Sequence, residues 1–409
     1  MNNKNILFIE INTDGTIGGS HHCLYEMVKC IDKKKYLPSV IFFQENPLMK
    51  DFEKICNVYV WPMKRGLVFE FDFPRFHGFF SKSGVASKSL SLIQKSFNFF
   101  FHYLPNLFKI ASYLKKNRID LIHLNNSPDQ TDWLLVSKMS CRKVVSHLRF
   151  PWSPTRARKF LADRYDRIIA ISDYVAGRLD AVGVSRGNVV TIHDGIDVGQ
   201  LEKSDVTASD IRKEFGIPPG APILCEIGNI RRWKGQHVAV EAMRHLVGRH
   251  KDARLFIVGE ISNSPKDVEY LKELKELAGK CGVDKNVVFT GYRKDALSIL
   301  SQSDVMVHTS IFPEPMGRVI LEGMVFRKPV VASNHGGPVE ILEDGKSGFL
   351  VEPGNPETLA ERISFLLENG DAARRIGEAA RERVEEKFGI GSNMKRLEEV
   401  YDSLLAEKS

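Results

Sequence analysis

DVMVHTSIFPEPMGRVILEGMVFRKPVVASNHGGPVEILEDG, Asp304 to Gly345, reads as strand, loop, helix, strand, loop and short helix. Val305 to His308 is a short apolar run suited to a buried strand. Pro313 and Pro315 exclude helix and hold Glu314 between them in an extended loop. Gly317 then opens a helix with Val319, Ile320, Met324 and Val325 on its apolar side. Lys328 and Pro329 end it, Val330 to Ala332 form the next strand, and Gly336 and Gly337 follow. A parallel sheet presents its ligand crevice at such strand ends.

A helix starting at Gly317 aims the N–H groups of Gly317, Arg318 and Val319 into that crevice. About half a positive charge resides there, which favours an anion such as a diphosphate. Glu314, before the helix, can accept hydrogen bonds from hydroxyls beside the anion. Glu322, eight positions on, can take a second pair of hydroxyls. A ligand with hydroxyls, a diphosphate and further hydroxyls is a nucleotide sugar. The plainer alternative for Glu322 is an ion pair with Arg318 at i, i+4.

Glu314, Gly317, Glu322, Pro329, Gly336, Gly337 and Glu340, in this order, resemble the signature of the retaining glycosyltransferases of family four, the group 1 glycosyltransferases. The resemblance implies an α/β, GT-B architecture: two doubly wound Rossmann-like domains with a crevice between them. It is strong from Pro222 to Phe388 and thinner before, where Gly18-Gly19, His147, Ala170-Ile171-Ser172 and Asp194-Gly195-Ile196-Asp197 carry it.

The chain has 409 residues, 43% hydrophobic and 27% charged, the size and composition of two globular domains. Its six cysteines have no near-neighbour spacing, so neither a zinc knuckle nor a disulfide framework is expected, and they suit a reducing cytoplasm. The opening apolar run is broken by Glu10, and no apolar run is long enough to span a bilayer. The net charge of +7 is uneven. Between Lys64 and Arg118 ten Lys or Arg face only Glu70 and Asp72, and eleven of the 25 phenylalanines lie between Phe69 and Phe108. A basic aromatic segment on a nearly neutral body points to a local anionic surface, such as a membrane, and not to nucleic acid. Leu107, Ile110, Ala111 and Leu114 have helical core spacing, with Lys109, Lys115 and Lys116 facing away.

Strands alternate with helices along both halves. The expected division is 1–200, an acceptor domain containing the basic aromatic segment at 64–118; 201–388, a nucleotide-sugar domain; and 389–409, a terminal helix returning to the first domain. Asn12 to Ser20 is a glycine-rich loop before a helix, but not a Gly-x-Gly-x-x-Gly dinucleotide fingerprint.

The resemblance supplies the remaining site residues. Lys234, in a Lys-Gly before a helix, is expected on the donor diphosphate. The family arginine five residues earlier is here Asn229, leaving Arg231 or Arg232 as its replacement. His147 is expected on the donor sugar or its phosphate, and Gly18 and Gly19 beside the donor phosphates and the acceptor. The catalytic set is thus His147, Lys234 and Glu314. The donor-binding set is Gly18, Gly19, Arg231, Arg232, Lys234, Gly317, Arg318, Val319 and Glu322.

No Asp-x-Asp follows a strand, so no metal and no cofactor are expected beyond a UDP- or GDP-linked sugar donor. A retaining hydrolase needs carboxylates about 5 Å apart. Eight residues at a helical rise put Glu314 and Glu322 roughly 12 Å apart. The expected activity is therefore metal-independent hexosyl transfer with retention, to a saccharide or lipid-linked acceptor in cell-surface polysaccharide synthesis. The expected location is cytoplasmic, peripheral on the inner membrane face. The alternative is a GT-B epimerase or nucleotide-sugar-binding protein.

Overall fold

The computed structural model describes residues 3–11, 18–62, 99–126, 128–152, 155–203, 210–262 and 264–406. Residues 63–98, most of the basic aromatic stretch, and residues 12–17 of the glycine loop lie outside the described residues. The chain forms two compact units, Met1–Ala170 with Leu179–Val190 and Leu397–Ser409, and Ile171–Arg178 with Thr191–Arg396. The long stretch of the second unit begins at Thr191. Ile196 is the reason: its N–H donates to Phe388 and its carbonyl accepts from Ile390, holding this stretch within the second unit. The terminal helix, Ile390–Ala406, joins the first unit only from Leu397 onward.

The first unit contains β1 (Lys4–Glu10), β2 (Tyr36–Phe42), β3 (Asn57–Val60), β4 (Leu121–Asn126), β5 (Lys143–Leu148), β6 (Arg167–Ala170) and β7 (Val189–Thr191). The sheet order is β3-β2-β1-β4-β5-β6-β7. In β1, Ile6 to Ile9 are wholly buried, as a parallel strand covered on both faces requires. The chain reverses direction across the sheet between β1 and β4, so Glu10, Asn125 and, one strand over, His147 end up at the carboxyl edge. Ile110 and Leu114 of the helix Leu104–Lys116 are buried, while Lys109, Lys115 and Lys116 are exposed, as the helical spacing predicts.

The second unit contains β8 (Ile223–Ile227), β9 (Arg254–Val258), β10 (Val287–Gly291), β11 (Val305–His308), β12 (Val330–Ser333) and β13 (Phe349–Val351), ordered β10-β9-β8-β11-β12-β13. Its core joins Leu224, Leu255, Val305 and Val331 of the sheet to Val240, Met243 and Ile363 of flanking helices. Here the switch point lies between β8 and β11, which pair through Leu224–Val305 and Cys225–Met306. The loops leaving these two strands carry Lys234 and Glu314.

Candidate active site

Lys234 and Glu314 are 80 residues apart in sequence, yet Lys234 Nζ donates to both Glu314 carboxylate oxygens at 2.7 Å. Two close backbone approaches bring them together. Gly235 has φ +74°, and a Cβ there would lie 2.0 Å from the Thr309 carbonyl oxygen. On the other side Gly337 N–H donates to the Glu314 carbonyl at 2.8 Å, and a Cβ on Gly336 would lie 2.4 Å from that same oxygen. The Gly-Gly pair therefore presses the 313–316 loop into place.

Glu314 also accepts from Ser310 Oγ at 3.0 Å and is 3.2 Å from His308 Nε2. Burial works to raise its pKa, but the Lys234 charge and the His308 hydrogen bond hold it well below the usual carboxylate range. Lys234 Nζ lies 4.4 Å from the centre of the Trp233 ring, a second contact that favours the cation. The pair is thus ionised, mutually neutralising and only slightly exposed.

The helix Arg318–Val325 begins beside this pair. Its N-cap, Gly317, has φ +94°, and no side chain caps the helix. The N–H groups of Arg318 and Val319 are therefore left without a side-chain cap, and such an end favours an anion. Glu322, one turn along, lies 3.6 Å from Arg318 Nε, so the i, i+4 ion pair does form. It does not offset burial, which raises the Glu322 pKa above its ordinary value with Arg318 opposing. Arg318 Nη1 also donates to the Gly195 carbonyl at 3.4 Å.

Beneath the site lies a group that sequence reasoning missed. Glu226 on β8 is buried, accepts from Thr309 Oγ1 at 2.6 Å, and is pushed up to about 7 by burial against the opposing Thr309 bonds and Lys234 charge. His308, Thr309 and Ser310 were missed as well, although three polar residues ending a buried apolar strand are a signal that could have found them.

Arg231 and Arg232 are drawn away from this cluster. Arg231 Nε is 3.8 Å from Asp267, while Arg232 pairs with Glu273 and stacks on Tyr270 at 4.8 Å. Asp267, Tyr270 and Glu273 all lie on the helix Pro265–Lys280. Glu340 of the Gly-Gly-x-x-Glu accepts from the N–H groups of Asp173 and Tyr174 at 2.8 Å each and lies 2.9 Å from His193 Nε2. It caps the helix Asp173–Asp180.

In the first unit Gly18 is the N-cap of the helix Gly19–Cys30, and its N–H donates to His21 Nδ1 at 3.3 Å. A Cβ at Gly18 or Gly19 would meet nothing within 4 Å among the described residues, so packing against these does not require glycine there. His147 is 2% exposed, and its Nε2 has no hydrogen-bond partner among the described residues. Burial, then the Arg149 charge, holds its pKa well below the ordinary histidine value, so the ring is neutral.

Two family models match this chain: Glycosyl transferases group 1 over residues 208–383, and Glycosyltransferase Family 4 over residues 17–200. Among curated proteins it is 27% identical to spore coat protein SA of Bacillus subtilis, over 72% of this chain and 81% of that one. It is 28% identical to N-acetyl-alpha-D-glucosaminyl L-malate synthase of Bacillus anthracis, over 73% and 78% of the two. Among solved structures it is similar to Anabaena HepE in complex with UDP, with a TM-score of 0.79 at 24% identity, covering 98% of this chain and all of that one. A glycosyltransferase from Rickettsia africae superposes with a TM-score of 0.82 at 23% identity over the whole of both chains. The chain belongs to the group 1 glycosyltransferases of family 4, with the GT-B fold.

Proposed function

We propose that this glycosyltransferase moves a hexose, with retention, from a nucleoside diphosphate sugar to a saccharide or lipid-linked acceptor of a cell-surface polysaccharide. The observation that carries the reading is the grouping of Lys234, Glu314, an uncapped helix N-terminus and half-buried Glu322 around one switch point. In this reading the first turn of Arg318–Val325 and Lys234 take the diphosphate, and Glu322 accepts from the ribose hydroxyls. Glu314, released from Lys234 as the phosphate arrives, accepts from hydroxyls of the sugar. Lys234 and the helix end then stabilise charge developing on the leaving diphosphate while the acceptor hydroxyl attacks from the same face. His147 contacts the sugar or its phosphate. The UDP-glucose held by HepE supports a uridine nucleotide as donor. GDP-sugars are the other class to test.

These groups supply the electrostatic stabilisation that a metal would otherwise give. Transfer from a panel of UDP- and GDP-sugars is therefore expected to persist in excess EDTA, with the anomeric configuration of the donor kept in the product by NMR. Activity abolished by EDTA and restored by Mn²⁺ would overturn the metal-free reading. An inverted product would overturn retention.

A lipid-linked acceptor is supported by the composition of 64–118 and by its described end. Phe100 and Phe101, in the turn Phe99–Tyr103, are 60% and 65% exposed, and Phe108 is 69% exposed. Aromatics interleaved with basic residues suit the headgroup region of an anionic leaflet. The protein is expected to float with anionic vesicles at low salt, less at high salt, and less when Arg75, Lys82 and Lys88 are changed to Ser. A wild type that stays with the soluble fraction at low salt makes the acceptor a soluble saccharide.

A further inference from the structure

Behind His147 runs a buried chain of polar groups. Tyr401 Oη lies 2.6 Å from His123 Nδ1, and His123 Nε2 lies 3.2 Å from His147 Nδ1. Tyr401 and His123 are fully buried, and His147 nearly so. The two histidines are diagonal neighbours on one face of β4 and β5, where Asn125 stands opposite His147. Tyr401 lies on the terminal helix, whose end is fixed near the start of β2: Tyr36 Oη donates to Asp402 and lies 3.3 Å from the Glu398 carbonyl oxygen, and Asp32 N–H donates to Glu398 Oε1 at 2.8 Å.

Burial, then the Arg149 charge, lowers the His123 pKa to about 3. Both rings are therefore neutral and carry one N–H each, and the chain has only two arrangements. In the first, Tyr401 O–H donates to His123 Nδ1, His123 Nε2–H donates to His147 Nδ1, and His147 holds its proton on Nε2. In the second every bond is reversed, leaving the Tyr401 O–H without an acceptor among the described residues and His147 Nε2 as a bare lone pair. The first leaves one group unpartnered and the second leaves two. Each buried hydrogen bond left unmade is a net cost, so the first prevails. Its one unpartnered group, the His147 Nε2–H, stands near the carboxyl edge of the sheet.

We propose that Tyr401 and His123 are positioning residues that fix His147 as its Nε2–H tautomer, presenting a hydrogen-bond donor to an oxygen of the sugar or phosphate. The identity of that oxygen rests on the proposed donor reading. The relay itself does not.

The test is long-range ¹H–¹⁵N NMR of histidine-labelled protein without substrate. Wild type is expected to show His147 protonated on Nε2. In Tyr401→Phe the two arrangements leave equal numbers of groups unpartnered, so a mixture with the Nδ1–H form is expected, with a two- to fivefold fall in kcat. His123→Gln can accept from Tyr401 through its carbonyl and donate to His147 through its amide, so it is expected to keep the Nε2–H form and most of the activity. His123→Leu is expected to lose the fixed tautomer. A wild-type His147 protonated on Nδ1, or a Tyr401→Phe spectrum unchanged from wild type, would overturn the relay. Adding nucleotide sugar should then move the His147 Nε2–H resonance. A fixed tautomer with no response to the donor would keep the relay and remove His147 from the donor site.

Discussion

Lys234→Ala is expected to slow sugar transfer by roughly 30- to 1000-fold, the 2–4 kcal/mol that a charge-assisted contact to a developing anion contributes in a closed site. Loss of fold could mimic this, because the change also strands the Glu314 carboxylate. Glu314 is held well below the usual carboxylate pKa chiefly by Lys234, acting against burial. A depressed folded-state pKa means stability present above the ordinary value of 4.5 and lost as pH falls below it. Lys234→Ala removes most of that contribution and leaves a largely covered charge resting, among the described residues, on His308 and Ser310. The double variant Lys234→Ala with Glu314→Gln removes the stranded charge. It should regain most of the lost melting temperature and none of the lost activity. Recovery of both, or near-wild-type turnover in Lys234→Ala, would take Lys234 out of the donor site.

Glu322→Gln is expected to make the protein more stable and a poorer binder. The sign is opposite to that of Glu314. Burial raises the Glu322 pKa, so the folded state holds its proton more tightly than the unfolded chain. Stability is then lost as pH rises through the interval above 4.5, and at neutral pH the ionised side chain is a standing cost. Gln removes that cost. It also replaces one of two acceptor oxygens, which for hydroxyls bonded to a charged group is on the order of 1.5–3 kcal/mol, or about ten- to a hundredfold in donor affinity. Melting curves at pH 7 and donor titrations on the same preparation read both effects. A Gln variant less stable than wild type would mean that the Arg318 ion pair, and not ligand binding, explains the carboxylate.

The second unit was the more legible in sequence. β11 falls on the residues expected, Val305 to His308, because three apolar residues in a row there suit a buried strand. The order Glu314, Gly317, Glu322 placed the start of the helix to within one residue. What local pattern could not show was which loops meet. The Lys234–Glu314 pair depends on β8 lying beside β11, a fact of topology. Arg231 and Arg232 show the same limit. No helix was assigned over Pro265–Lys280, so the acids that take both arginines were out of view. His123 and Tyr401 are 278 residues apart, and only tertiary packing joins them behind His147.

The central claim is that the second unit holds a nucleoside diphosphate without a metal, through Lys234, the Arg318–Val325 helix end and Glu322. Calorimetric titration of UDP and of GDP in EDTA tests it most directly. One of the two should bind wild type with 1:1 stoichiometry, weakening at least tenfold in Glu322→Gln and further in Lys234→Ala. Binding of neither nucleotide, or equal affinity in wild type and both variants, would contradict the account.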